Sequence, residues 1–130
     1  MPELKTERGL RVVADAAAID GATWTTDLDT PPLVHRLAPD EAFSPGSTSV
    51  VIDDMYAIVV EEHGIVSTRC RIADLLPHID WTLPIERPTF TQGAVAGVPA
   101  KLWLLDDTFL VLYAGGAYAR ELAARLGWLR

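Results

Sequence analysis

Residues 89–113 read TFTQGAVAGVPAKLWLLDDTFLVLY. Residues 89–96 form a strand candidate, Gly97-Val98-Pro99 a turn, and residues 101–105 and 108–113 the two arms of a hairpin closed by Asp106-Asp107. Three strands joined by such short connections make an antiparallel meander. Gly115-Gly116 then opens a closing helix over 117–126. There Tyr118, Leu122 and Leu126 line one stripe, and Glu121 is placed to pair with Arg125 at i,i+4. Gly127 is suited to the position just past the helix end. Ten residues are marginal as a free helix, so the stripe must be buried on the sheet.

Upstream, residues 72–76 read as a short helix stopped by Pro77, and Gly64 opens a further strand over 65–70. Residues 49–52 and 56–61 are strand candidates separated by an Asp53-Asp54 turn, with Tyr56, Ile58 and Val60 on one half-buried face. Residues 55–63 also fit a helix capped by Asp53 or Asp54, but the β-branched run Ile58-Val59-Val60 favours the strand. The prolines of residues 23–49 mark a loop-rich wrapping segment with one strand at 33–37. Residues 10–14 suit a strand, Asp15 suits the cap of a helical turn ending at Gly21, and residues 1–8 suit a frayed terminus. The expected fold is α+β: one domain over 1–130, with an antiparallel sheet and C-terminal helix in residues 50–130, the helix on one face.

Composition bounds the function. The chain has 130 residues, 49% of them apolar, which is too hydrophobic for wholesale disorder and is the size of one core. Its 11 Lys and Arg oppose 18 Asp and Glu, for a net charge of −7. Without a basic stripe there is no footprint for nucleic acid. Residues 1–54 carry four basic and ten acidic side chains, so −6 of the total lies in the first half. With one cysteine, no CxxC, no signal-like N-terminus and no long apolar run, a cytoplasmic, non-membrane protein is expected.

Few residues offer chemistry. Glu61-Glu62-His63 is the densest titratable cluster, and His35 or His78 are the only histidines that can join it. No HExxH or HxH spacing supports a metal, so none is expected, and no cofactor is implied. Cys70 lies between Arg69 and Arg71. In a strand both arginines point away from it, so the thiol is expected to be inward and inert. Gly115-Gly116 before a helix is the one anion-binding geometry, but with no GxGxxG and no Lys following, a flexible strand-to-helix corner is the favoured reading. The four tryptophans carry more information. Trp103 alternates with Leu102 and Leu104, so both faces of its strand are apolar and one must meet something beyond the core. Trp103, Trp128 and Leu129 are therefore interface candidates, and Trp81, Trp103 and Tyr113 candidates for lining a ligand pocket.

Thr89-Phe90-Thr91-Gln92-Gly93, Val98-Pro99-Ala100-Lys101-Leu102-Trp103, Asp107-Thr108-Phe109-Leu110 and the closing helix bearing Ala119, Leu122 and Leu126 together resemble the end of the gamma subunit of heterotetrameric sarcosine oxidase. That family is related to the aminomethyltransferases. The resemblance covers about residues 72–128, includes the Leu76 to Pro84 stretch and leaves the first 45 residues unmatched. It implies a small subunit without catalytic residues of its own, packed against flavin-bearing partners. The expected function is a non-catalytic accessory subunit acting through a protein partner or as a homo-oligomer. The alternatives are a small enzyme using Glu61, Glu62 and His63, and a small-molecule-binding domain.

Overall fold

In the computed structural model, which describes residues 2–128, the elements follow in the order β1 (Lys5–Val13), α1 (Ala16–Asp20), β2 (Thr23–Thr26), β3 (His35–Ala38), β4 (Glu41–Pro45), β5 (Ser47–Val51), β6 (Ile58–Arg71), α2 (Ile72–Leu75), β7 (Thr89–Val95), β8 (Val98–Leu104), β9 (Phe109–Gly115) and α3 (Ala119–Arg125). The fold is α+β, mostly antiparallel sheet with a few short helices. Two compact units divide the chain: Glu7–His63, and the residues before Glu7 and after His63. Among the described residues no helix is long and apolar enough to cross a membrane.

The second unit contains the meander, with strand order β6-β9-β8-β7 and antiparallel pairing throughout. The β7–β8 turn is Ala96-Gly97, both at positive φ (51° and 78°), and Val95 faces Val98. Positive φ at both central residues is the geometry whose twist matches that of the strands. Val98 and Pro99 are thus in β8 rather than in the turn, one residue away from where the proline suggested it. The β8–β9 connection spans residues 105–108. The Leu105 N–H reaches the Phe109 carbonyl at 3.1 Å, and the Asp106 carboxylate accepts the Thr108 and Phe109 N–H groups at 2.8 and 2.7 Å. These two backbone donors hold the Asp106 carboxyl below the usual range.

One face of this sheet is core: Leu102, Leu104, Leu110, Leu112 and Val95 are fully buried there with Leu75 and Leu122. Helix α3 presents Leu122 and Leu126 to it. Tyr118 is exposed in a 3-10 turn ahead of α3, so the apolar stripe is shorter than the sequence implied. The helix ends as expected on Gly127 at φ 75°, with the Gly127 and Trp128 N–H groups reaching back to Ala124 and Ala123. Glu121 and Arg125 form the anticipated pair, and Arg125 also donates to the Ala96 carbonyl at 2.6 Å, fastening the helix to the β7–β8 turn.

In the Glu7–His63 unit the strand order is β3-β4-β1, with β2 and β5 forming a separate pair. Val12, Ala14, Ile19 and Ala42 are its core, covered by Trp24, Val50, Ile52 and Ala57. Three expectations change. Residues 23–49 hold strands β2, β3 and β4 and the start of β5 rather than mainly loop, because short polar strands such as TWTT and HRLA show no periodicity of their own. Strand β1 begins at Lys5, inside the stretch expected to fray. Residues 58–71 form one strand through Gly64, which settles residues 58–63 as strand rather than helix. The close backbone approach there favours glycine at position 116, where a Cβ would lie 3.2 Å from the Gly64 carbonyl oxygen.

Candidate functional site

The face of the β6-β9-β8-β7 sheet opposite the core carries Arg69 and Arg71 from β6, Phe109, Val111 and Tyr113 from β9, Lys101 and Trp103 from β8, and Phe90 and Gln92 from β7. Register makes a row of four of them: Phe90 faces Trp103, Trp103 faces Val111, and Val111 faces Arg69. Tyr113 is buried, whereas Phe90, Trp103 and Val111 remain partly exposed. The Arg69 guanidinium lies 4.5 Å from the Phe109 ring centroid, a cation–π contact that holds its stem flat on the sheet. Among the positions of this face paired in register over residues 65–71, 89–95, 98–104 and 109–115, none holds a carboxylate. It is an aromatic surface with three cations, the arrangement enriched in protein contact regions.

The two-faced character expected of Trp103 is therefore present: Leu102 and Leu104 are fully buried and Trp103 is not. Trp128 packs partly buried against the core cluster, and Leu129 lies outside the described residues. Trp81, Trp103 and Tyr113 do not face a common space. Trp81 lies against Gly93 on the core side, since Gly93 pairs with Ala100, while Trp103 and Tyr113 project from the opposite face.

The Glu61-Glu62-His63 cluster lies on β6. His63 Nε2 is 3.4 Å from a Glu61 carboxylate oxygen, and both side chains are more than half exposed. Glu62, the next residue along the strand, projects to the other side. His35 is buried on β3 opposite Phe43, and burial pushes its pKa down to about 4. His78 is in the 3-10 turn after α2. Among the described residues no group of three His, Cys, Asp or Glu is arranged to hold a metal ion. Cys70 points into the core, where burial first and the Asp74 charge second raise its thiol to about 12. Gly115 ends β9 in an extended conformation at φ −63° and Gly116 opens the 3-10 turn Gly116–Tyr118, so the pair forms a strand-to-turn corner.

Two features escaped sequence reasoning. The first is the seat of Trp81 over Gly93, which joins residues twelve apart. The second is the exposure of the stretch around Met55 to Val60: its alternation predicted a half-buried strand, yet Tyr56, Ile58 and Val60 are all exposed. A cue was present in the carboxylates on both sides of it, which oppose burial.

No protein-family model matches the chain, and no curated protein matches its sequence. Its fold is similar to that of a chain in the heterotetrameric sarcosine oxidase from Corynebacterium sp. U-96, solved in complex with pyrrole 2-carboxylate. The TM-score is 0.73 at 10% identity, over 97% of this chain and 80% of that one. At that identity the likeness is one of fold.

Proposed function

We propose that this chain is a small, non-catalytic subunit of an oxidoreductase complex, acting through protein–protein contacts. The observation that carries the proposal is the aromatic row Phe90–Trp103–Val111 on a sheet whose other face is already filled by its own core. Apolar side chains left partly exposed in a cross-strand row still present area to water, and covering that area with a second protein recovers hydrophobic free energy. The fold similarity to a chain of a heterotetrameric oxidase supports the same reading. The resemblance of residues 72–128 to the gamma subunit points to the equivalent position in such an assembly.

Gentle affinity purification of the tagged chain from its own cells, followed by mass measurement of the intact assembly, tests the proposal. The expected result is a heteromeric species containing a larger polypeptide with redox activity, lost on Trp103→Ala while the chain stays folded. A chain that is monomeric in its own cells, or an assembly indifferent to Trp103→Ala and Phe90→Ala, would overturn it.

A further inference from the structure

The Glu7–His63 unit has a second surface of a different kind. Met55 is 88% exposed, Tyr56 83%, Ile58 58%, Val59 46% and Val60 49%, and Val51 nearby is 74% exposed. In a strand Ile58 and Val60 share one face and Val59 takes the other, so apolar side chains meet solvent on both faces. Tyr56 and Ile58 also form one wall of a groove of about 600 Å³, whose other walls include Val13, Pro39, Asp15 and Asp40. The stretch is held in place rather than loose. Asp54 accepts the backbone N–H of Asp15 and of Tyr56, each at 2.9 Å, which ties the turn to the start of α1.

Charge identifies what fits. From residue 37 to residue 68 there is no Lys or Arg, while Asp40, Glu41, Asp53, Asp54, Glu61 and Glu62 all fall within that span. The Glu7–His63 unit holds three basic and eleven acidic residues, a net −8, whereas the rest of the chain holds eight and seven, a net +1. A second copy meeting this surface with the same surface would set carboxylates against carboxylates. Meeting it instead with the Trp103 face would supply only three cations, and that head-to-tail contact does not close on itself unless a ring forms.

We infer that residues 51–62, together with the groove beside Tyr56 and Ile58, dock a different polypeptide that presents an apolar segment bordered by Lys and Arg side chains. The inference rests on the subunit reading and adds a second surface with its own partner chemistry. The apolar strip supplies the contact, and the surrounding carboxylates select the partner and steer its approach.

Site-specific photo-crosslinking tests it, with benzoylphenylalanine replacing Tyr56 in one version of the chain and Trp103 in another, both expressed in the native cells. The expected result is a Tyr56-position crosslink to another polypeptide, at a peptide combining apolar residues with Lys or Arg. Its yield should fall roughly tenfold in an Asp53→Asn, Glu61→Gln, Glu62→Gln background, which leaves the structural Asp54 untouched. A crosslink only to a second copy, to a peptide without basic residues, or with unchanged yield in that background overturns the inference. Crosslinking at position 103 but not at 56 overturns it while the subunit reading stands. Silence at both positions removes both.

Discussion

The indole of Trp81 fills the space in front of Gly93 and donates its Nε1 hydrogen to the Ala94 carbonyl oxygen at 2.8 Å. Strand β7 ends the order β6-β9-β8-β7, so Trp81 closes a carbonyl that an edge strand would otherwise offer to another chain. The Ala96 N–H is closed in the same way, on the His78 carbonyl at 2.7 Å. One short segment therefore shields the end of the sheet with a ring and a backbone bond.

A Cβ at position 93 would overlap indole atoms Cε2 and Cζ2. Gly93→Ala is therefore expected to destabilise the chain by about 2 kcal/mol through overpacking, with a red-shifted tryptophan emission as the ring is displaced. In a Trp81→Ala background the obstacle is gone and alanine is the better strand residue, so the same substitution should become neutral or slightly stabilising. Urea unfolding of the four members of this cycle checks the change of sign.

Cys70 faces Leu110 across the β6–β9 pair and belongs to the core that includes Leu75 and Leu112. With its thiol pushed up to about 12, almost none is thiolate at pH 8. A disulfide reagent such as Ellman's should leave Cys70 unreacted in the folded chain for as long as it stays folded, and label it fully in denaturant. Fast labelling of the native protein would mean that β6 opens locally or that the thiol is not where the core places it. Cys70→Ala should lower stability by about 1 kcal/mol, the transfer cost of a small buried group.

These two sites divide what sequence alone conveys from what it does not. The inward Cys70 and the two-faced Trp103 follow from a period of two within a single strand, which needs no knowledge of neighbours. The same period misassigned Tyr56, Ile58 and Val60, because alternation says which residues share a face and not whether anything covers that face. The Ala96-Gly97 turn was displaced by one residue because Pro99 is the stronger turn signal, although it tolerates the second position of β8. Trp81 over Gly93 and the β2–β5 pair depend on contacts between separate segments, where composition carries no trace of the partner.

His35 lies buried opposite Phe43, and burial lowers its pKa from 6.5 to about 4. The unfolded chain binds a proton at this residue below about pH 6.5, while the folded chain does not until about pH 4. Stability is therefore highest above pH 6.5 and is lost as the pH falls through that window. The difference corresponds to roughly 3 kcal/mol. The carboxyls of Asp54 and Asp106 are held below 3.8, so their contributions are lost only at lower pH and leave this window to His35. Urea midpoints measured from pH 7 to pH 4.5 should fall steadily for the native sequence. The slope should largely vanish in His35→Gln, even if that variant is less stable at pH 7.

Ala96 is the one non-glycine residue with positive φ among those described, at 51°. For an L-residue with a Cβ this left-handed conformation costs about 1 kcal/mol, a cost that glycine avoids and asparagine reduces. Its persistence is explained by what the turn does: the Ala96 N–H reaches His78, its carbonyl receives Arg125 at 2.6 Å, and Val95 is aligned with Val98. These contacts use the Ala96 backbone, and its methyl group is only partly buried against the core cluster. Ala96→Asn, which creates the Asn-Gly pair favoured in two-residue hairpins, should therefore raise stability by about 0.5–1 kcal/mol, and Ala96→Gly by a comparable amount less the small apolar area lost. Arg125→Ala should lower stability by about 1 kcal/mol by releasing the helix from the turn. If the strain is real, the gain from Ala96→Asn should survive in the Arg125→Ala background. If Ala96→Asn instead destabilises the chain in denaturant titrations, the turn is not left-handed at this position.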